Sequence, residues 1–208
     1  MATVLKNEKH FCCICLKLNE YEKTMQEETS IFSDLDMRPA PPNRYTATMS
    51  VHMCPYCNYS NYNIDELIED VDAKRIVNSE EYQLMAKYKI SETAKKFLLA
   101  GFLYESKNDN RHAAYLYLNS AWAFDDDNDF NNAIQLRKRA LVNFVKLEQN
   151  IEVTLIETDI LRRIGEFKEA IKFAKSSLKL KTYNKQQFLA FKKELVLIRH
   201  KNTNCGKF

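Results

Sequence analysis

Glycine and proline are scarce: the 208 residues contain three Gly and four Pro. So few turn formers over so long a chain exclude a many-stranded sandwich or barrel and predict long helices. No run approaches the eighteen apolar residues that a membrane span needs, so no membrane partner is expected. The opening stretch, MATVLKNEKHFCCIC, lacks the apolar core of a signal peptide, which predicts a cytoplasmic protein. No Ser/His/Asp set, H-E-x-x-H pair or phosphate loop is present, so the chain is read as a non-enzyme. Net charge is only +3, too small by itself to demand a polyanionic partner. With 45% hydrophobic and 28% charged residues, the composition is that of a globular protein with a core.

Cysteine is what the chain has in an unusual arrangement. Five of the six cysteines lie in residues 1–62, which also hold every proline. Cys12 and Cys15 have C-x-x-C spacing, as do Cys54 and Cys57, with 38 residues between the pairs. In a reducing compartment paired thiols are seldom disulfides, and a redox pair calls for a βαβ context that is not seen here. Two C-x-x-C turns suit four thiolates around one tetrahedral Zn²⁺, with an intervening hairpin bringing the turns together. Four sulfurs close the coordination shell and leave no water to activate, so the ion is structural. Cys13 is an alternative to Cys12, giving C-x-C, and His10 and His52 are a third option. A turn of this kind needs positive φ just after its second cysteine. Asn58 tolerates that, whereas Leu16 does not, which predicts strain or a different turn at the first pair. Strand-like spacing in RYTATMSVHMC completes the reading of residues 1–62 as a small β-rich, zinc-ribbon-like module.

From Asn63 the pattern becomes helical, with Asn63 and Glu66 as a capping pair. Helices are predicted near 64–75, 80–88, 91–107, 111–125, 129–149, 151–164, 166–181 and 184–200, with Ser91 and Asp109/Asn110 as caps. ETDILRRIGEFKEAIKFAKSSLKL has Leu161, a turn Gly165, then Ala170 and Ala174. Phe97, Gly101, Tyr104, Ala113 and Tyr117 form a weaker copy. Small residues there let two helices approach closely, as in tetratricopeptide repeats. The expected fold is mostly α, a zinc-ribbon-like module at 1–62 followed by tetratricopeptide-like antiparallel hairpins over 63–208, with Phe188, Phe191, Leu195 and Ile198 covering the open end.

The stretch SDLDMRPAPPNRYTATMSVHMCPYCNYSNYN resembles a bacterial family known as domain of unknown function 2225. The resemblance rests on Cys12 and Cys15, on Asp34, Leu35, Asp36, Arg38 and Pro39, and on Cys54, Pro55, Cys57 and Tyr59. It extends through YLYLNSAWAF and DILRRIGEFKEAI, so it covers most of the chain. It implies zinc and helices, and no activity. Leu16 and Asn58 stand where the family usually has Gly.

The remaining features are polar. Asp34, Asp36 and Arg38 are read as pairing with one another, or with Lys17 and Arg44, to hold the long loop on the ribbon. DDDNDF at 125–130 lacks the Gly and Glu of a calcium loop and reads as a helix break. Trp122 reads as core, and Cys205 as a free exposed thiol. Charge is uneven, running −1, −3, 0 and +7 over residues 1–62, 63–110, 111–150 and 151–208. Lys168, Lys172, Lys175 and Lys179 line one helix face, joined by Lys181, Lys185, Lys192, Lys193 and Arg199. Placing Gly101 and Thr158 at the same repeat position puts Phe102, Glu105, Asp159, Arg162 and Arg163 on a concave face. There the arginines would meet an anionic segment of a protein or peptide partner as forked donors. The expected function is a zinc-stapled interaction protein. The alternative is nucleic-acid binding through the ribbon and the basic helices.

Overall fold

The structure, a computed structural model, describes residues 5–24, 34–41, 43–68, 72–180 and 183–207. Lys181, Pro42 and the stretch 69–71 of the first predicted helix lie outside these residues. Strand β1 (Leu5–Phe11) pairs antiparallel with β2 (Leu18–Thr24), Phe11 facing Leu18 next to the turn. Helix α1 (Asn43–Ala47) and a 3₁₀ turn (Thr48–Ser50) precede a second, shorter hairpin of β3 (His52–Met53) and β4 (Ser60–Asn61). The expected strand at RYTATMSVHMC is thus mostly helical. Proline is tolerated at a helix start, and the Arg44 amide closes the first turn onto the Ala40 carbonyl.

The helical part comprises α2 (Ala73–Val77), α3 (Glu80–Ala86), α4 (Glu92–Ser106), α5 (Asn110–Asp126), α6 (Phe130–Phe144), α7 (Ile151–Arg163), α8 (Phe167–Leu180) and α9 (Lys185–Arg199). The mostly α fold is as expected, with one correction at its start. Residues 63–68 are turns, not the first turns of a helix. Their polar groups are spent on the neighbouring hairpins: the Ile64 carbonyl accepts from the Cys13 amide, and the Glu66 carbonyl accepts from the Tyr59 hydroxyl. Asn63 bonds the Glu66 side chain instead of capping a helix. Helix α6 also ends earlier than expected, because Asn150 turns the chain and caps α7 by accepting from the Val153 amide.

Three connections share one design. Lys107-Asn108-Asp109, Asp127-Asn128-Asp129 and Ile164-Gly165-Glu166 each place their middle residue at positive φ, 60°, 60° and 87°. In each, the third residue's amide reaches back to the preceding helix, at Tyr104, Phe124 and Leu161, over 2.8–3.0 Å. This Schellman-type ending reverses the chain in the shortest space, and only Gly or Asn adopts its left-handed residue cheaply. Asp109 and Asp129 then cap the next helix, accepting from the His112 and Asn132 amides. Helices α4, α5 and α6 therefore stack as antiparallel neighbours. A Cβ on Gly101 would come within 2.8 Å of the Tyr117 ring, so α4 and α5 pack as closely as the small residue allows.

The boundary expected at 62/63 is a change of backbone type within a continuous core. Cys12, Cys54 and Tyr59 belong to the same buried cluster as Tyr82, Leu99, Tyr117 and Phe144. Tyr82 donates to the Asn58 carbonyl and Tyr104 to the Asn61 side chain, tying helices to the second hairpin. At the other end α9 covers α7 and α8, burying Phe191, Leu195 and Ile198. Trp122 is buried, as expected.

Candidate metal centre

Each C-x-x-C forms the tip of its own two-stranded hairpin, so no separate hairpin brings the turns together. The two tips are built alike. The Leu16 amide bonds the Cys12 carbonyl (2.8 Å), and the Asn58 amide bonds that of Cys54 (2.9 Å). The Cys12 amide returns to Lys17 (3.0 Å), and that of Cys54 to Tyr59 (2.8 Å). Leu16 and Asn58 both take positive φ, 60° and 63°. The first tip therefore keeps the same turn and places a leucine, 73% exposed, in the left-handed region.

These turns bring the four sulfurs together. Cys12 Sγ lies 3.6 Å from Cys57 Sγ, and Cys15 Sγ lies 3.6 Å from Cys54 Sγ. All four sulfurs lie within 4.8 Å of one another, and no cysteine is in a disulfide. A tetrahedral ion bound through sulfur at about 2.3 Å sets its ligands about 3.8 Å apart. The donor set fits such an ion. Burial pushes the Cys12 thiol up to about 11 and raises Cys57 further. At Cys15 burial acts the same way, but hydrogen bonding from the Lys17 backbone and the neighbouring thiols outweighs it, and its pKa falls. A bound dication would hold all four as thiolates.

The alternatives left open by the sequence are decided by position. Cys13 is outside the cluster. His10 bonds Asp65 and Glu8, and the His52 ring packs tilted against Tyr21 with centroids 5.1 Å apart, so neither imidazole joins the sulfurs.

The D-L-D-x-R segment does more than hold a loop on the ribbon. Leu35 is fully buried against Leu155, Ala174, Ala190 and Phe191 of α7–α9. Asp36 accepts from the Trp122 indole (2.8 Å) and from Arg163 (2.9 Å). Arg38 forks onto Asp126, and Arg44 pairs with Asp34 as expected. Lys17 instead lies over the Tyr56 ring, 4.5 Å from its centroid. Asp34 also bridges in β fashion to Lys207, so the chain's last described residues close over this segment. Three of the four acids at 125–129 have partners of their own: Asp125 takes Arg137 and Arg163, Asp126 takes Arg38, and Asp129 caps α6.

The five residues expected on a concave face are not brought together. Asp159, Arg162 and Arg163 are buried. Arg162 bonds Asp159, Glu194 (2.7 Å) and the Asn202 and Asn204 carbonyls, and Arg163 bonds Asp36 and Asp125. This corrects their assignment as forked donors to a partner: α9, residues 202–207 and the Asp34–Arg38 segment cover that face of α7. Phe102 and Glu105 lie on α4 beside α6. Glu105 accepts from Tyr117 (2.8 Å), Arg139 (2.6 Å) and Asn143 (2.9 Å). Burial alone would raise its carboxyl, but these bonds hold it below the usual range. The Arg139 guanidinium lies 5.5 Å from the Phe102 ring centroid.

A groove of ≈590 Å³ opens next to this cluster. Met85, Leu98, Phe124 and Leu136 form its apolar floor, and Tyr88, Lys89, Gln135 and Arg139 its rim. The sequence reading missed it, because the floor residues come from four different helices and no periodic signal joins them.

No curated protein and no solved structure matches the chain. Among family models, the one described as "Uncharacterized protein conserved in bacteria" (DUF2225) matches residues 5–201, and the chain belongs to that family.

Proposed function

We propose that the protein is a non-enzymatic adaptor: one Zn²⁺ on Cys12, Cys15, Cys54 and Cys57 staples the N-terminal hairpins to a tetratricopeptide-like helical stack, and that stack holds a segment of a protein partner. Zinc is the reading favoured by four sulfur donors at tetrahedral spacing with no open position. Unbridged cysteines throughout the described residues support a reducing, cytoplasmic setting.

The observation that carries the binding role is the groove formed by α3, α4, α5 and α6. Its buried apolar floor takes one or two side chains of an extended or helical segment, while the polar rim bonds that segment's backbone. The experiment pairs metal analysis of the purified protein with affinity capture from its own cells, comparing wild type with Leu136→Glu and Tyr88→Ala. One zinc per chain, and a discrete polypeptide retained by wild type and lost from both variants, is the expected result. Capture that is indifferent to both substitutions rules out the groove, and a chain purified without metal rules out the staple.

A further inference from the structure

The exposed face of α8 is a line of like charge. Lys168, Lys172, Lys175 and Lys179 are all exposed, spaced four, three and four residues apart. At about 1.5 Å per residue the line runs roughly 16 Å, and at about 100° per residue all four fall on one narrow stripe. Lys172 contacts Glu169 at 3.1 Å; Lys168, Lys175 and Lys179 have no ion pair among the described residues. On the adjoining α9, Lys185, Lys192, Lys193 and Arg199 are also exposed. Acids scarcely offset them. Between 165 and 207 the carboxylates are Glu166, Glu169 and Glu194, and Glu194 is fully buried on Arg162.

We propose that this α8 stripe binds the phosphate backbone of duplex nucleic acid without reading its sequence, a role beyond the partner groove and independent of it. A regularly spaced row of lysines matches a regularly spaced row of anions, and an ammonium group binds phosphate as a point charge with little demand on direction. A protein partner would also need apolar anchors, and the stripe has none between its lysines. Firm seating on a bilayer takes inserted apolar side chains as well as charge. The large exposed apolar groups nearby, Leu189 and Val196, lie on α9. Single strands would need exposed rings for base stacking. Phe167 and Phe173 instead pack onto the cluster of Leu161, Ala170 and Ile198, and Phe188 stacks on Tyr183 at 5.5 Å.

The test measures fluorescence anisotropy of the full-length protein with a labelled DNA duplex of about 20 base pairs, its RNA counterpart, and phosphatidylglycerol vesicles. One variant carries Lys168→Gln, Lys172→Gln, Lys175→Gln and Lys179→Gln. A charge-matched control carries Lys74→Gln, Lys87→Gln, Lys138→Gln and Lys146→Gln, at exposed positions on other elements. Gln has nearly the helix propensity of Lys, and circular dichroism checks that both fold. The expected result is binding to one or both duplexes. Engaging four phosphates gives a log–log salt slope of about −3.6 on B-form DNA, a loss of roughly 150-fold between about 50 and 200 mM salt. The stripe variant binds at least about tenfold more weakly with a flatter slope, and the control binds like wild type. Whichever duplex is retained identifies the ligand. No duplex binding at about 50 mM salt, equal loss in both variants, unchanged binding by the stripe variant, or binding to vesicles alone overturns the proposal.

Discussion

Leu16 and Asn58 occupy the same place in the two cysteine turns, but their side chains bear the shared backbone unequally. For a branched side chain the left-handed region costs roughly 1–2 kcal/mol, and for Asn less. Leu16→Gly should therefore raise the thermal stability of the metal-loaded protein, by up to about 1 kcal/mol in unfolding free energy once glycine's extra freedom in the unfolded chain is subtracted. Asn58→Val should lower it by more than that; a thermal melt showing the opposite order would mean that the turns are not equivalent. Cys13 makes a second residue-scale test. Cys13→Ser should keep one ion per chain by native mass spectrometry, and Cys12→Ser should lose it, since only Cys12 stands among the other three sulfurs. Spacing alone could not choose between adjacent cysteines. The choice depends on which sulfur the β1–β2 turn directs inward.

Between helices, the contact of α7 with α9 centres on charge. Arg162 is shared by Asp159 and Glu194, and all three are fully buried. Burial, then the neighbouring Asp159 carboxylate, pushes Glu194 up to about 8 against the pull of Arg162. The proton on Glu194 is thus favoured in the folded state. Its contribution to stability is complete below its unfolded pKa of about 4.5 and is lost as pH rises through 8. Wild type should lose stability to denaturant progressively between about pH 4.5 and 8 and level off above that, and Glu194→Gln should flatten that part of the curve. An unchanged profile would place the proton elsewhere. The Asp34–Arg38 segment joins the same region, and Leu35→Ala should cost about 2–5 kcal/mol by emptying a filled site among α7, α8 and α9. The helices themselves were largely legible, because caps such as Ser91 and Asp109 and the Gly165 turn are local signals. The helix expected from Asn63 failed because its local cap signal was outweighed by hydrogen bonds to a hairpin fifty residues earlier.

At the scale of the whole molecule, the four cysteines join a hairpin at residue 12 to one at residue 54, and the second hairpin's Tyr59 packs into the helical core. Stripping the metal with a thiol-reactive mercurial should release one ion per chain. It should lower the melting temperature while leaving most far-ultraviolet helical signal, because α7–α9 keep their own clusters and ion pairs. Complete loss of helix on metal release would show that the staple nucleates the whole fold.

The sequence by itself determined the helical class, the ends of most helices, the two C-x-x-C pairs from which the ion's ligands come and the family. Each of these depends on residues close together in the chain or on a spacing the chain carries with it. Only the tertiary structure decided where the charged residues go. Arg162 and Arg163 looked like open donors by helical position. They are instead buried by α9, residues 202–207 and the Asp34–Arg38 segment, three stretches that no local pattern ties to α7. The groove beside Arg139 was decided in the same way. A surface formed by the meeting of several helices exists only once their packing has removed every other face from solvent.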